Sequence, residues 1–304
     1  MAASTSPFEK FKEGLLYKGR EGHWAFILHR VSGLAILLFL AIHVLDTSWV
    51  YFAPESYEHA IELYSSIPFL LSEYALFAAI VYHAINGLNI IIKDTFPAWW
   101  NKHLQPNSFW KIIVLSVLCW LPAAYYVSRN IYLHYICTNC VSEPAVPVEG
   151  QGFVYLLVPV VVIVLLAVLA YGGTFNQHAL SQAPRTLNRP GKNFETWSWL
   201  FMRWSGGILI ILVWIHVTTN ALLTGAHHID VAYVEARWAE PLNWGSTFTI
   251  LMLALLHGVN GLRAVVGDYV HNATAVRVIN TVAFIGWVVL TAAGAIAMFM
   301  LNRS

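Results

Sequence analysis

The chain has 304 residues, of which 58% are hydrophobic and only 11% charged, with a net charge of +1. A soluble domain carries roughly 25% charge, so the soluble classes are excluded. An all-α integral membrane protein is expected, because lipid satisfies no backbone hydrogen bonds and leaves helices as the spans.

Residues 1–27 carry Lys10, Lys12, Lys18 and Arg20 without an apolar core of their own, so no cleavable signal peptide is visible. Seven apolar stretches are long enough to cross a hydrocarbon layer of about 30 Å. They are 28–50, 68–92, 110–128, 153–172, 199–223, 246–267 and 277–301. With the N-terminus inside, fourteen of the seventeen Lys and Arg fall on the cytoplasmic side, leaving Arg129, Arg237 and Arg303 outside. The positive-inside rule therefore predicts a cytoplasmic N-terminus and an outer C-terminus in the cell (inner) membrane. Three cysteines exclude both a disulfide framework and a protein-bound iron–sulfur cluster with four thiolate ligands. Cys119 lies in a span as an apolar filler, and Cys137 and Cys140, in the outer "CTNC", read as a local disulfide or two idle thiols. No nucleic-acid partner is expected.

The chain repeats itself. "LHRVSGLAILLFLAIHV" from Leu28 matches "FMRWSGGILIILVWIHV" from Phe201, with Arg30, Ser32, Gly33 and His43 answering Arg203, Ser205, Gly206 and His216. "HAINGLNIIIKD" from His83 matches "HGVNGLRAVVGD" from His257, so that Asn86, Gly87 and Asp94 answer Asn260, Gly261 and Asp268. Each repeat has three spans, yet both begin on the cytoplasmic side, so the span at 153–172 is read as a linker helix that restores orientation. The predicted organisation is a first three-helix repeat at 1–128, an outer loop and linker helix at 129–175, and a second repeat at 176–304. Parallel repeats imply a pseudo-two-fold axis along the membrane normal.

Of thirteen histidines, His43, His83, His216 and His257 lie well inside spans, where a polar side chain is costly and marks function. Imidazole is an axial ligand of haem iron, and facing histidines in a helical bundle are a usual way to build such a site. A two-fold axis pairs His83 with His257 and His43 with His216, and the pairs predict two bis-histidine haems b. Helix rise puts each second-helix histidine about 16 Å from its aspartate and each first-helix histidine about 20 Å from its arginine, so the His83/His257 pair is expected nearer the cytoplasm. Gly87 and Gly261, one turn after a histidine, would let a flat macrocycle approach the backbone. Arg30, Arg203 and His29 are the candidate partners for haem propionates.

These residues resemble the membrane-anchor cytochrome b subunits of succinate dehydrogenase (succinate:quinone oxidoreductase). The likeness rests on "HRVSG" opening the first span, a histidine ahead of an aspartate in the second, and His257 separated by ten residues from the pair Asp268–Tyr269. It covers six of the seven spans, as though two separate three-helix anchors were fused. The resemblance implies haem ligation by all four histidines and a cytoplasmic-side quinone site at Tyr269, Asp268 and Arg30, with Ser32 standing in for the serine that the family often has where this chain has Phe26. It likewise implies menaquinone or ubiquinone as the membrane quinone, and an iron–sulfur subunit docked on the cytoplasmic face that links to a flavoprotein subunit. The expected function is that of a di-haem cytochrome b anchor carrying electrons to a quinone, in an enzyme whose dicarboxylate site is on another chain. The alternatives are a di-haem subunit of a hydrogenase or formate dehydrogenase, or a transporter or haem-free anchor; proton-coupled transport is disfavoured by parallel repeats and by an expected lack of carboxylates at mid-membrane depth, and a colourless purified protein would point to the haem-free anchor.

Overall fold

A computed structural model describes residues 21–96, 105–137, 193–225 and 228–301. Among them are eight α-helices: α1 (Glu21–Phe52), α2 (Pro54–Tyr64), α3 (Ile67–Thr95), α4 (Gln105–Ile131), α5 (Phe194–Val217), α6 (Val231–Ala239), α7 (Pro241–Tyr269) and α8 (Ala273–Leu301). π-helical turns prolong α4 over Tyr132–Ile136 and α5 over Thr218–Thr224. The helices α1, α3, α4, α5, α7 and α8 are long and apolar enough to cross a membrane. The span expected at 153–172 lies outside the described residues.

The helix ends follow local chemistry. Proline occupies the first turn of α2, α3 and α7, where its missing N–H is no loss. Asn193 caps α5 by accepting from the Thr196 amide, and Asp230 caps α6 by accepting from that of Tyr233. Pro122 sits inside α4 without ending it, as membrane helices tolerate.

The first and second membrane helices of each repeat form a four-helix core. Within repeats α1 packs on α3 and α5 on α7; between repeats α1 meets α7 and α3 meets α5. The third helices lie outside, α4 against α3 and α8 against both α7 and α1. Here the symmetry fails, because α4 meets the second repeat chiefly at the π-turn Thr218–Thr224.

The short helices α2 and α6 were not expected. Each joins the first and second membrane helices of its repeat, and they meet where the Tyr57 hydroxyl donates to the Ile229 carbonyl at 3.1 Å. A buried cluster of Val44, Val50, Tyr57, Val234, Trp238, Leu251, Leu255, Ala297 and Met298 fastens both to the bundle. Between helices in lipid, packing and hydrogen bonds replace the hydrophobic drive. Accordingly, the Trp244 indole donates to the Met298 carbonyl and that of Trp120 to the Tyr74 carbonyl, both at 3.1 Å.

Candidate functional site

The bundle end opposite α2 and α6 is closed by two ion pairs that cross between repeats. Arg30 of α1 pairs with Asp268 of α7. Arg203 of α5 holds Asp94 of α3 through Nε at 2.9 Å and Nη2 at 2.7 Å. The expected propionate partners are thus tied to carboxylates of the other repeat, and in this way the two halves are laced together.

The crossings are not equivalent. The Arg203 guanidinium gives two bonds to one oxygen and lies 4.4 Å from the Trp199 ring centroid. Arg30 sits 3.7 Å from the Phe26 ring centroid and 5.5 Å from that of Tyr269, and its buried Nη1 has no hydrogen-bond partner among the described residues. Tyr269 is 58% exposed, so a phenol stands at an accessible surface with the buried donor nitrogen behind it. Thr95, at the position equivalent to Tyr269, spends its hydroxyl on the Ile91 carbonyl.

Deeper in the bundle, the rings of His83 on α3 and His257 on α7 face each other with centroids 6.4 Å apart and planes at 83°. Ser205 Oγ donates to the Phe201 carbonyl at 2.7 Å, so at 2.8 Å from His257 Nδ1 it acts as acceptor. Likewise Ser32 Oγ donates to the His29 carbonyl at 3.0 Å, and His83 Nδ1 lies 3.0 Å from that carbonyl and 3.3 Å from Ser32 Oγ. Both rings therefore carry the proton on Nδ1, which leaves Nε2 as a lone pair for a metal. Ser32, expected to touch quinone, is buried behind His83 instead. His29 stacks on His83 at 4.0 Å, and its buried Nδ1 has no partner among the described residues.

The glycines that admit these rings belong to the first helices. A Cβ on Gly33 would stand 2.8 Å from His83 Cε1, and one on Gly206 would stand 3.3 Å from His257 Cε1. Gly87 and Gly261, assigned this task from sequence, meet only His29 Cε1 at 3.6 Å and Met202 Cε at 3.8 Å, which are ordinary contacts. The two asparagines join helices: Asn86 donates to the Ala25 carbonyl at 3.3 Å, and Asn260 Oδ1 accepts from Ser198 Oγ at 2.7 Å.

Ten residues along α1 from Gly33, about 15 Å, the second pair forms. His43 and His216 have centroids 6.2 Å apart and planes at 72°. Asp46 Oδ1 lies 4.0 Å from His43 Nδ1. Asn220 Nδ2 donates to the His216 carbonyl at 2.7 Å and lies 3.3 Å from its Nδ1, while Tyr233 holds the Asn220 oxygen at 3.0 Å. Sequence reading passed over Asp46, a buried carboxylate inside α1, and so understated the charge within the spans.

The donor sets fit haem. Two imidazoles on one metal, bound at about 2.0–2.1 Å, have centroids about 6 Å apart, close to both pairs. Among the described residues no group of three or more His, Cys, Asp or Glu converges as a metal site. A facing pair of imidazoles is the donor set that a haem iron would need from the chain. Cys137 is disulfide-bonded, Cys119 is free, and Cys140 lies outside the described residues.

Comparison with known proteins finds a match to both halves of the chain. Residues 11–123 and 176–298 match the succinate dehydrogenase/fumarate reductase transmembrane subunit family. Over 122 residues, 40% of this chain and 87% of the relative, the sequence is 33% identical to the succinate dehydrogenase 2 membrane subunit SdhC of Mycobacterium tuberculosis. With both halves of the chain matched, the protein belongs to the succinate dehydrogenase/fumarate reductase transmembrane subunit family.

Proposed function

We propose that this chain is the di-haem cytochrome b anchor of a succinate:quinone oxidoreductase, carrying electrons from an iron–sulfur subunit, itself fed by a flavoprotein, to a membrane quinone. The observation that carries the reading is the two facing histidine pairs, at 6.4 and 6.2 Å, stacked along one bundle. His83 and His257 would hold one haem b and His43 and His216 the other; each haem supplies a one-electron carrier. The chain fixes the ring tautomers through Ser32, Ser205 and the His29 carbonyl, and Gly33 and Gly206 admit the inner rings. His29 Nδ1 and Arg30 Nη1 are the buried polar atoms at this end with no partner among the described residues, and the guanidinium nitrogen is the donor left for an anionic or carbonyl ligand.

The quinone, menaquinone or ubiquinone, would bind where Arg30, Asp268 and Tyr269 meet. Arg30 Nη1 and the Tyr269 phenol can donate to a carbonyl that gains negative charge on reduction, and Asp268 holds the guanidinium in place. At the equivalent corner Arg203 gives two donors to Asp94 and the Thr95 hydroxyl is spent on the Ile91 carbonyl, with no phenol beside them, so the quinone is assigned to the Arg30 corner. The arginine end is the cytoplasmic face, where the iron–sulfur subunit docks, with the C-terminus outside. Electron paramagnetic resonance of the oxidised complex tests the reading. Imidazole planes at 83° and 72° predict two strongly anisotropic low-spin ferric signals, and an absence of low-spin haem would overturn it.

A further inference from the structure

The outer histidine pair is not a copy of the inner one. In the inner pair both repeats use the same device, a serine from the first helix at Nδ1. Three residues beyond the outer histidines the repeats diverge, with Asp46 in one and Thr219 in the other. Thr219 donates to the Ile215 carbonyl at 2.9 Å and accepts from Arg237 at 3.1 Å. Asp46, only 5% exposed, divides its oxygens: Oδ2 accepts from the Tyr64 phenol of α2, while Oδ1 faces His43 Nδ1 at 4.0 Å and accepts from Thr47 at 3.3 Å.

Burying a carboxylate costs several kcal/mol unless it is paired and hydrogen-bonded, and in a membrane helix it marks function. A bond to Tyr64 alone could be made by asparagine or glutamine without that cost. A carboxylate on the far nitrogen of a ligating histidine sets its tautomer and raises its basicity. Tyr64 holds one Asp46 oxygen, and the other stands 4.0 Å from that nitrogen, beyond hydrogen-bond length but close enough for its charge to act on the ring.

We propose that Asp46 is a positioning residue for His43, acting through Nδ1 to reserve Nε2 for the metal and to make His43 a stronger electron donor than the serine-backed histidines of the inner pair. The inference rests on the reading that the outer pair holds a haem. Its consequence is that the outer iron is harder to reduce than it would be with a neutral residue at position 46.

Potentiometric titration of the purified complex, on samples whose haem content is measured first, tests this with Asp46→Asn, Asp46→Glu and Tyr64→Phe. The expected result for Asp46→Asn is that one haem couple moves to higher potential while the other stays, with a changed low-spin signal for the same haem and recovery in Asp46→Glu. If Asp46 only pins α2 to α1, Asp46→Asn and Tyr64→Phe lower thermal stability alike and leave both couples at wild-type values; that result, or an equal shift of both couples, overturns the proposal. Should Asp46→Asn lose the outer haem, its retention in Asp46→Glu supports the role and its loss there overturns it. A wild-type complex with fewer than two haems overturns the di-haem reading itself, before any potential is read.

Discussion

Substituting Gly33 by alanine tests how closely the inner histidine is fitted. The new Cβ would lie 2.8 Å from His83 Cε1 and 3.2 Å from Nδ1, against an ordinary contact of about 3.5–4.0 Å. The ring must then retreat by about 0.7 Å, or the helices must part by as much. His83 cannot swing freely, because His29 stacks on it at 4.0 Å and its Nδ1 is held by the His29 carbonyl at 3.0 Å. A metal site tolerates about 0.2 Å in ligand distance, and overpacking a helix contact costs about 1–3 kcal/mol. Gly33→Ala is therefore expected to lose the inner haem from most molecules, leaving about one per chain by pyridine haemochrome assay. Gly206→Ala is the internal control: its Cβ would stand 3.3 Å from His257 Cε1, which a few tenths of an ångström relieve, so most of the haem should stay. Two haems with an unshifted spectrum in Gly33→Ala, or a larger loss in Gly206→Ala, would refute the reasoning.

The asymmetry of the crossed ion pairs predicts that Asp94→Asn, which removes the charge behind two bonds to the part-buried Arg203, costs about 1 kcal/mol. Thermal unfolding of the detergent-solubilised complex should show a larger loss there than in Asp268→Asn, whose carboxylate is half exposed. At the proposed quinone corner, Tyr269→Phe removes one donor to the carbonyl, about 1.4 kcal/mol or tenfold in kcat/KM for quinone, with haem content at two per chain; quinone kinetics at the wild-type value would remove Tyr269 from the site. Tyr57→Phe should cost about 1 kcal/mol through the lost bond to Ile229, read as a lower unfolding midpoint. Burial pushes the Tyr57 phenol above its ordinary 10.0, so its contribution is present below about pH 10 and lost as pH rises further. Stability of the wild type should therefore fall more steeply than that of Tyr57→Phe at alkaline pH.

What could be read in the chain was what recurs at fixed offsets. The six described spans, the arginine and aspartate ends and the four mid-span histidines all stand at equivalent positions in two repeats. Long apolar runs and repeated polar exceptions are the strongest signals a membrane sequence carries. The Arg30–Asp268 and Arg203–Asp94 crossings were not legible, since offsets along one helix place residues at an end without saying which helix lies opposite. The cradle was assigned to Gly87 and Gly261 because they share a helix face with a histidine, yet the rings press on the neighbouring helix at Gly33 and Gly206. The recurrence of that second glycine pair behind each serine was the available signal. Ser32 was misplaced for the same reason, its partner being a ring on another helix. The short helices α2 and α6 were missed because eleven and nine residues of mixed polarity between spans read as loop, and with them went Tyr64, the residue that gives Asp46 its orientation.

The most direct test of the account is haem per polypeptide, by pyridine haemochrome assay, in the wild type and in His43→Ala and His83→Ala. The account predicts two haems b, falling to about one in each variant, with different absorption bands surviving in the two. One haem, lost with His83→Ala and untouched by His43→Ala, would contradict it and reduce the outer histidines to packing residues.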